Sequence, residues 1–395
     1  MIPVVTPRQM RAIDAAAPEP VDTLIAKAGE AIARAAAEML GGTYGRTVNV
    51  IAGPGNNGAD GRVAAERLAG RGVRVRVFAT SDVPAELPAA DLVVDAAFGT
   101  GYHVDRVGSA PYRAPVVGRT PVLAVDIPSG LDGDSGLAAE GTLAATVTVT
   151  FVAPQPGHLL GRGPELVGDL RVVPIAGLSV DRQPAQTAMA IVEASDVAAW
   201  VPPRGRTDHK WVSAVRVVSG SASMRGAASL CAAAAHRAGA GLVLLSVPGG
   251  DARAPDEVID RPLAATAWAD EVLADLHRFQ ALVVGPGLGR DDDTRRSVVR
   301  LVTESDVPVV VDGDGLAALP WNPDGSVAFL RERRGPVVLT PHDGEYAALT
   351  GARPGVDRVA AAHHLAEATG AVVLLKGPTT VVADPAGPTW FVVNG

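Results

Sequence analysis

Short apolar runs recur down this chain. Most end in an acid or a glycine, and stretches with helical spacing of apolar positions lie between them. In the first half, residues 48–52, 73–78, 91–95, 122–126, 146–151 and 170–173 read as strands. Residues 9–40 read as two helical segments, and residues 62–69 as a helix that follows a glycine-rich loop. In the second half the strands are residues 215–219, 241–247, 281–284, 307–312, 337–339 and 372–375, and a small-residue turn at 220–227 opens a long alanine-rich helix. Strands that alternate with helices predict parallel sheets covered on both faces, so the fold class expected is α/β with two doubly wound domains. Between residues 175 and 190 the character of the chain changes to glycine, proline and polar residues. The joint is therefore expected near residue 185, giving domains 1–185 and 186–395.

Composition narrows the partners. Apolar residues make up 47% and charged residues 20% of the 395, as in an ordinary globular protein. A net charge of −8 argues against nucleic acid or an anionic membrane as the main partner. Cys231 is the only cysteine, which excludes a disulfide framework and a thiolate metal site and is compatible with a reducing cytosol. No signal peptide opens the chain and no apolar run reaches transmembrane length, so a cytoplasmic protein is expected; it is also expected to be a homo-oligomer. Lysine occurs only at positions 27, 210 and 376, which makes each a place where a compact ammonium could matter in a way arginine cannot supply.

In parallel sheets ligands bind outside the carboxyl ends of the strands, and this is where the unusual residues fall. The first strand runs into Gly53-Pro54-Gly55-Asn56-Asn57-Gly58-Ala59-Asp60-Gly61. Its glycines fit a dinucleotide fingerprint, a weak signal alone. More specific is the Asn56-Asn57 pair, because the whole chain holds five asparagines and amide oxygens suit a hard cation or a ribose. Two further strands end in acids followed by glycine turns: Asp95 before Phe98-Gly99-Thr100-Gly101, and Asp126 before Ile127-Pro128-Ser129-Gly130. One such acid is usually a turn or cap residue. Three polar strand ends facing one crevice point to a site. An ordinary Rossmann dehydrogenase fits less well, because Asp82, the acid nearest the required place, has already left its strand.

These motifs, together with Ala153-Pro154-Gln155-Pro156-Gly157-His158, resemble those of the NAD(P)H-hydrate epimerase family over about residues 1–180. The resemblance implies a Rossmann-like domain that binds potassium and hydrated NADH or NADPH. Asn57, Asp95 and Ser129 would ligate the ion. Asn56, Asn57, Gly58, Ala59 and Asp60, with Gly99, Thr100 and Gly101, would line the substrate site, and Asp126 would do acid/base work at C6. Ala59 stands where the family usually has glycine.

In the second half the strand ends carry Gly285-Pro286-Gly287, Asp312-Gly313-Asp314, Thr340-Pro341-His342-Asp343-Gly344-Glu345 and Lys376-Gly377-Pro378-Thr379-Thr380. No P-loop is present, and the twelve-residue spacing of a calcium loop is absent around Asp312. His342 and Glu345 could be a metal pair, but their spacing at a helix start reads first as a cap. With His209-Lys210 and Met224-Arg225-Gly226, these motifs resemble the ADP-dependent NAD(P)H-hydrate dehydratases, which have a ribokinase-like fold. That implies ADP with Mg2+ as the phosphoryl source, Gly287 and His342 beside the hydrate, and Lys376 to Thr380 facing the nucleotide. The family's Gly-x-Gly-Asp element falls a few positions beyond Asn394, past the last residue of this sequence, Gly395. The second domain is therefore expected to be incomplete, and this form to show no ADP-dependent dehydration. The competing readings are a non-catalytic binding module and a ribokinase-like small-molecule kinase.

Overall fold

The computed structural model describes residues 1–103, 112–180, 188–251, 254–320 and 328–393. The chain divides into two compact units, Met1–Ile191 and Val192–Gly395. The expected joint near residue 185 and the residues Asn394 and Gly395 lie outside the described residues.

The first unit contains β1 (Ile2–Val4), α1 (Pro7–Ala15), α2 (Val21–Leu40), β2 (Thr47–Ala52), α3 (Asn56–Gly70), β3 (Arg74–Ala79), β4 (Leu92–Ala96), β5 (Val122–Val125), β6 (Val147–Phe151), the single turns α4 (Pro156–Leu159) and α5 (Gly163–Leu166), β7 (Asp169–Val173) and β8 (Met189–Ile191). Six strands form a parallel sheet in the order β3-β2-β4-β5-β6-β7, and β1 pairs antiparallel with β8. The chain moves one way from β2 to β3 and the other way from β3 to β4. The switch point therefore lies between β2 and β4, where a crevice opens at the carboxyl ends. The apolar runs of β2, β4 and β5 are buried on both faces, as a covered parallel sheet requires. One face packs Val48, Val50, Val94 and Leu123 against Ile32 and Ala36 of α2 and Ala64 and Leu68 of α3. The other face packs Ile51, Val93 and Ala124 against Tyr112 and Ala145.

One element starts earlier than its sequence suggests. The helix after β2 begins at Asn56, not at residue 62, so Asn56 to Gly61 form its first turns rather than a loop. Glycines 58 and 61 lower the intrinsic helical preference of this stretch, and tertiary fit overrides it. A Cβ on Gly58 would lie 1.9 Å from the carbonyl oxygen of Gly53, and one on Gly61 would lie 2.5 Å from the Ala96 side chain. The missing side chains let the helix start sit directly on the β2 and β4 ends.

The second unit contains α6 (Ala194–Trp200), β9 (Ala214–Val218), α7 (Arg225–Arg237), β10 (Leu242–Ser246), β11 (Ile259–Asp260), α8 (Ala269–Leu276), β12 (Ala281–Val284), α9 (Asp292–Glu304), β13 (Val309–Val311), α10 (Asp314–Ala318), α11 (Ala328–Arg331), β14 (Val337–Leu339), α12 (Asp343–Thr350), α13 (Arg358–Thr369), β15 (Val372–Leu375), β16 (Thr380–Ala383) and β17 (Thr389–Val392). Its strands run in the order β17-β16-β15-β14-β13-β12-β9-β10-β11. The strands from β11 to β15 are parallel, and β16 and β17 continue the sheet antiparallel. Among the described residues no helix is long and apolar enough to cross a membrane.

Candidate functional site

A cavity of about 700 Å³ opens in the first unit at the switch point. Its walls come from α1, α2, the start of α3, and the turns after β4 and β5. α1 is held by a capping box in which Thr6 Oγ1 accepts the Gln9 N–H at 3.1 Å and Gln9 Oε1 accepts the Thr6 N–H at 2.7 Å. Such a cap contributes about 1 kcal/mol. It fixes a helix whose Met10, Arg11 and Asp14 face the cavity.

Asp126 occupies the most constrained position. It follows β5 with φ +66°, a region that non-glycine residues rarely enter. The Ile127 N–H donates to the Val125 carbonyl at 2.8 Å, closing a three-residue turn about Asp126. A second such turn stands beside it on β6: Val152 has φ +66°, and the Ala153 N–H donates to the Phe151 carbonyl at 2.7 Å. The half-buried Asp126 carboxylate accepts the Thr150 hydroxyl at 3.1 Å on Oδ1 and the Thr100 N–H at 3.3 Å on Oδ2, and it lines the cavity. Of these two turns, only the one at Asp126 places a polar side chain on the cavity wall.

Two further carboxyl groups share the cavity with it, Asp14 and Asp60. Asp60 is only 9% exposed. Burial, with the negative charges of Asp126 and Asp14 nearby, pushes its pKa up to about 8, so at neutral pH it is mostly protonated. Burial and Asp126 raise Asp14 as well. The cavity wall thus carries a protonated acid, Asp60, close to two further carboxyl groups.

Beneath the wall lie Asp95 and Ser129, both fully buried. Asp95 Oδ1 accepts the Ser129 hydroxyl at 2.6 Å and Oδ2 accepts the Ser129 N–H at 2.9 Å. Burial raises the Asp95 pKa, opposed by the hydrogen bonds from Ser129 and Ala97. Asn57 lines the cavity, and its amide nitrogen is buried with no partner among the described residues. Turned by half, that amide would offer its oxygen instead. A buried carboxyl group, a hydroxyl oxygen and, once its amide is turned, the Asn57 oxygen are groups of the kind that could hold a hard cation. Gly99 lies between this group and Asp126: a Cβ there would be 3.1 Å from Asp126 Oδ2 and 3.3 Å from Asn57 Oδ1. The Phe98 N–H donates to Ser129 Oγ at 2.9 Å, so one short segment touches both the oxygen cluster and Asp126.

Asn56, Asn57, Asp60, Gly99, Thr100, Gly101 and Asp126 therefore line one cavity. Gly58 and Ala59 do not: Gly58 is buried against Gly53, and Ala59 sits in the helix, where a methyl group fits without strain. Sequence reasoning missed Asp14, Thr150 and His158. Asp14 had one signal, its place one turn after Met10 on the helix face that lines the cavity. Thr150 and His158 show their role only through neighbours far away in the chain.

In the second unit the singled-out residues meet at the carboxyl ends of β12 to β15. Lys376 Nζ lies 2.7 Å from Asp312 Oδ1 and 3.6 Å from Glu345 Oε2. His342 caps α12, its Nδ1 accepting the Gly344 N–H at 2.9 Å, and Glu345 Oε2 accepts the His342 N–H at 2.9 Å. That cap uses the His342 ring nitrogen nearest the helix, as the spacing suggested. Gly287, at φ +69°, packs against Met224 and Ala227 at the start of α7. Of the segment 376–380, Gly377 and Pro378 are exposed at the β15–β16 hairpin, while Thr379 is buried.

Comparison with known proteins follows the same division. Residues 21–90 and 79–157 match the family described as YjeF-related protein N-terminus. Residues 215–395 match the NAD(P)H-hydrate dehydratase family. The bifunctional NAD(P)H-hydrate repair enzyme Nnr of Mycobacterium tuberculosis is 38% identical over 386 residues, covering 91% of this chain and 76% of that protein. The enzyme of the same description from Thermofilum pendens is 34% identical over 426 residues, covering 95% and 79%. A crystal structure of ADP/ATP-dependent NAD(P)H-hydrate dehydratase from Bacillus subtilis, with ATP and Mg2+, covers 51% of this chain and 71% of its own at 27% identity, with a TM-score of 0.42. With both signatures present in order, and relatives alike across nine-tenths of its length, the chain belongs to the family of bifunctional NAD(P)H-hydrate repair enzymes.

Proposed function

We propose that residues 1–185 interconvert the R and S forms of hydrated NADH and NADPH at C6 of the nicotinamide ring, and that residues 186–395 are the dehydratase domain that binds the S hydrate and ADP with Mg2+. The observation that carries the first part is Asp126: a strained residue whose carboxylate is clamped by Thr150 and Thr100 and faces a cavity large enough for a ring and its ribose. Inverting C6 requires a bond at that carbon to break and re-form on the other face, with a proton moved each time. A carboxylate in a partly desolvated cavity can move it. The apolar wall of Leu24, Ile25 and Leu178 suits the ring. Asn57, Asp95 and Ser129 would hold potassium, whose charge would offset the buried Asp95 carboxylate and brace the segment that reaches Asp126.

Mixing the protein with R hydrate and a separate S-specific dehydratase should regenerate 340 nm absorbance faster than spontaneous epimerisation allows. No acceleration would sink the assignment. In the same assay Asn57→Ala should raise the potassium concentration for half-maximal rate about tenfold, the usual cost of losing a ligand-shell contact.

In the second unit Lys376, which pairs with Asp312 and Glu345, would be the ammonium that meets the ADP phosphates, with Gly377 to Thr380 beside the nucleotide and Gly287 and His342 toward the hydrate. ADP should then raise the unfolding temperature, since a ligand that binds only the folded state stabilises it. Lys376→Ala should remove most of that rise. An undiminished rise would exclude Lys376 from the nucleotide site.

A further inference from the structure

The segment Ala153-Pro154-Gln155-Pro156-Gly157-His158 ends in a histidine that does not line the cavity, yet it is only 1% exposed and both ring nitrogens are engaged. Nδ1 accepts the Gln155 N–H at 2.9 Å. A nitrogen that accepts carries no proton, so the ring hydrogen of the neutral imidazole sits on Nε2. Nε2 donates it to the backbone carbonyl of Asp126 at 2.8 Å. Burial pushes the His158 pKa down, against the attraction of Asp126, which keeps the ring in this neutral form.

The carbonyl that receives this bond belongs to the strained residue. Asp126 is otherwise held by its own N–H, which donates to the Val149 carbonyl at 2.7 Å, and by the turn closed from Ile127 to Val125. A backbone at φ +66° persists in a non-glycine residue only when its surroundings over-determine it. Remove one tie and the residue can relax toward ordinary backbone angles, carrying its carboxylate away from Thr150 and Thr100.

We propose that His158 is a positioning residue of the epimerase site: its neutral Nε2–H ring is a strut that holds the Asp126 backbone in its left-handed turn and so aims the carboxylate into the cavity. This rests on the reading of Asp126 as the acid/base group. It assigns a role to a motif that does not line the cavity.

Two substitutions separate the strut from the local fold. His158→Asn places an amide oxygen where Nδ1 stands and keeps an acceptor for Gln155, but it has no donor that reaches Asp126. His158→Gln places an amide nitrogen near the position of Nε2 and restores that donor. His158→Asn should keep the unfolding midpoint within a few degrees and lower kcat about 10- to 100-fold with KM little changed, the cost of misaiming a catalytic group. His158→Gln should recover most of kcat. A folded His158→Asn with wild-type kcat overturns the proposal, and so does a His158→Gln as slow as His158→Asn. If His158→Asn does not fold, the rate of His158→Gln decides alone. Nitrogen NMR of histidine-labelled wild-type protein supplies a readout that needs no activity. His158 should show a protonated Nε2 and a bare Nδ1 at pH 7, and a charged ring or the opposite tautomer overturns the strut. Absence of epimerisation in the wild type would remove the role of Asp126 itself, a different failure, because the spectrum reports the ring whether or not the enzyme turns over.

Discussion

Asp126→Asn should give a folded protein that interconverts the two hydrates about 10³-fold more slowly than wild type, within the range that a positioned acid/base group contributes. Asparagine keeps the shape of the side chain and tolerates a positive φ, so the turn at φ +66° survives. Its oxygen can still accept from Thr150 or Thr100. What it cannot do is exchange a proton. Asp126→Ala would confuse two losses, since alanine at this φ costs about 1–2 kcal/mol of backbone strain as well as the carboxylate. The rate of 340 nm recovery from R hydrate in the presence of a separate dehydratase, with circular dichroism as the control for folding, reads the effect. An asparagine variant within tenfold of wild type would exclude Asp126 as the proton carrier.

Asp60→Asn should raise stability at pH 8 by on the order of 5 kcal/mol, while changing it little at pH 4. The folded-state pKa of Asp60 is raised to about 8 from its ordinary value of 3.8. The folded chain therefore keeps a proton that the unfolded chain gives up. Stability from this group is intact below about pH 4 and erodes as the pH climbs toward 8. Asp14, also raised, adds to the erosion in the same direction. Asparagine is neutral at every pH and abolishes the Asp60 share. Urea unfolding midpoints at pH 5 and pH 8 test this: wild type should lose much more stability between them than the variant. Parallel losses would show that Asp60 ionises freely in the folded state. A wild-type chain that retains a destabilising carboxyl group in its cavity wall fits the general trade of stability for function.

The positions of Asp95 and Asp126 were legible because each closes a run of apolar residues that is buried on both faces of a parallel sheet. A polar residue at the carboxyl end of such a run ends up at the crevice, on its wall like Asp126 or buried just beneath it like Asp95. The same logic put Asp312 and Lys376 at strand ends, and Lys376 meets Asp312 and Glu345. The start of α3 was not legible. Glycines at 58 and 61 read as loop residues by propensity, and only the 1.9 Å and 2.5 Å approaches to Gly53 and Ala96 explain why a helix needs them. Thr150 and His158 were hidden for a different reason. Each acts on Asp126 across 24 and 32 residues of chain, and no local periodicity records which groups a sheet and a three-residue turn will bring face to face.

The turn at Asp126 also restricts the evolutionary routes open to this site. Elsewhere a glutamate can take an aspartate's place only where the backbone shifts to absorb one methylene. At φ +66° that exchange is closed. Glutamate lacks the short side chain that eases aspartate and asparagine into left-handed geometry, and its longer arm would overshoot the Thr150 and Thr100 donors. Glycine and asparagine fit the backbone but not the chemistry. Aspartate alone meets both demands, so lineages that keep this turn have no neighbouring acid to drift through, and a lineage that lost the residue would have to rebuild the turn to regain one.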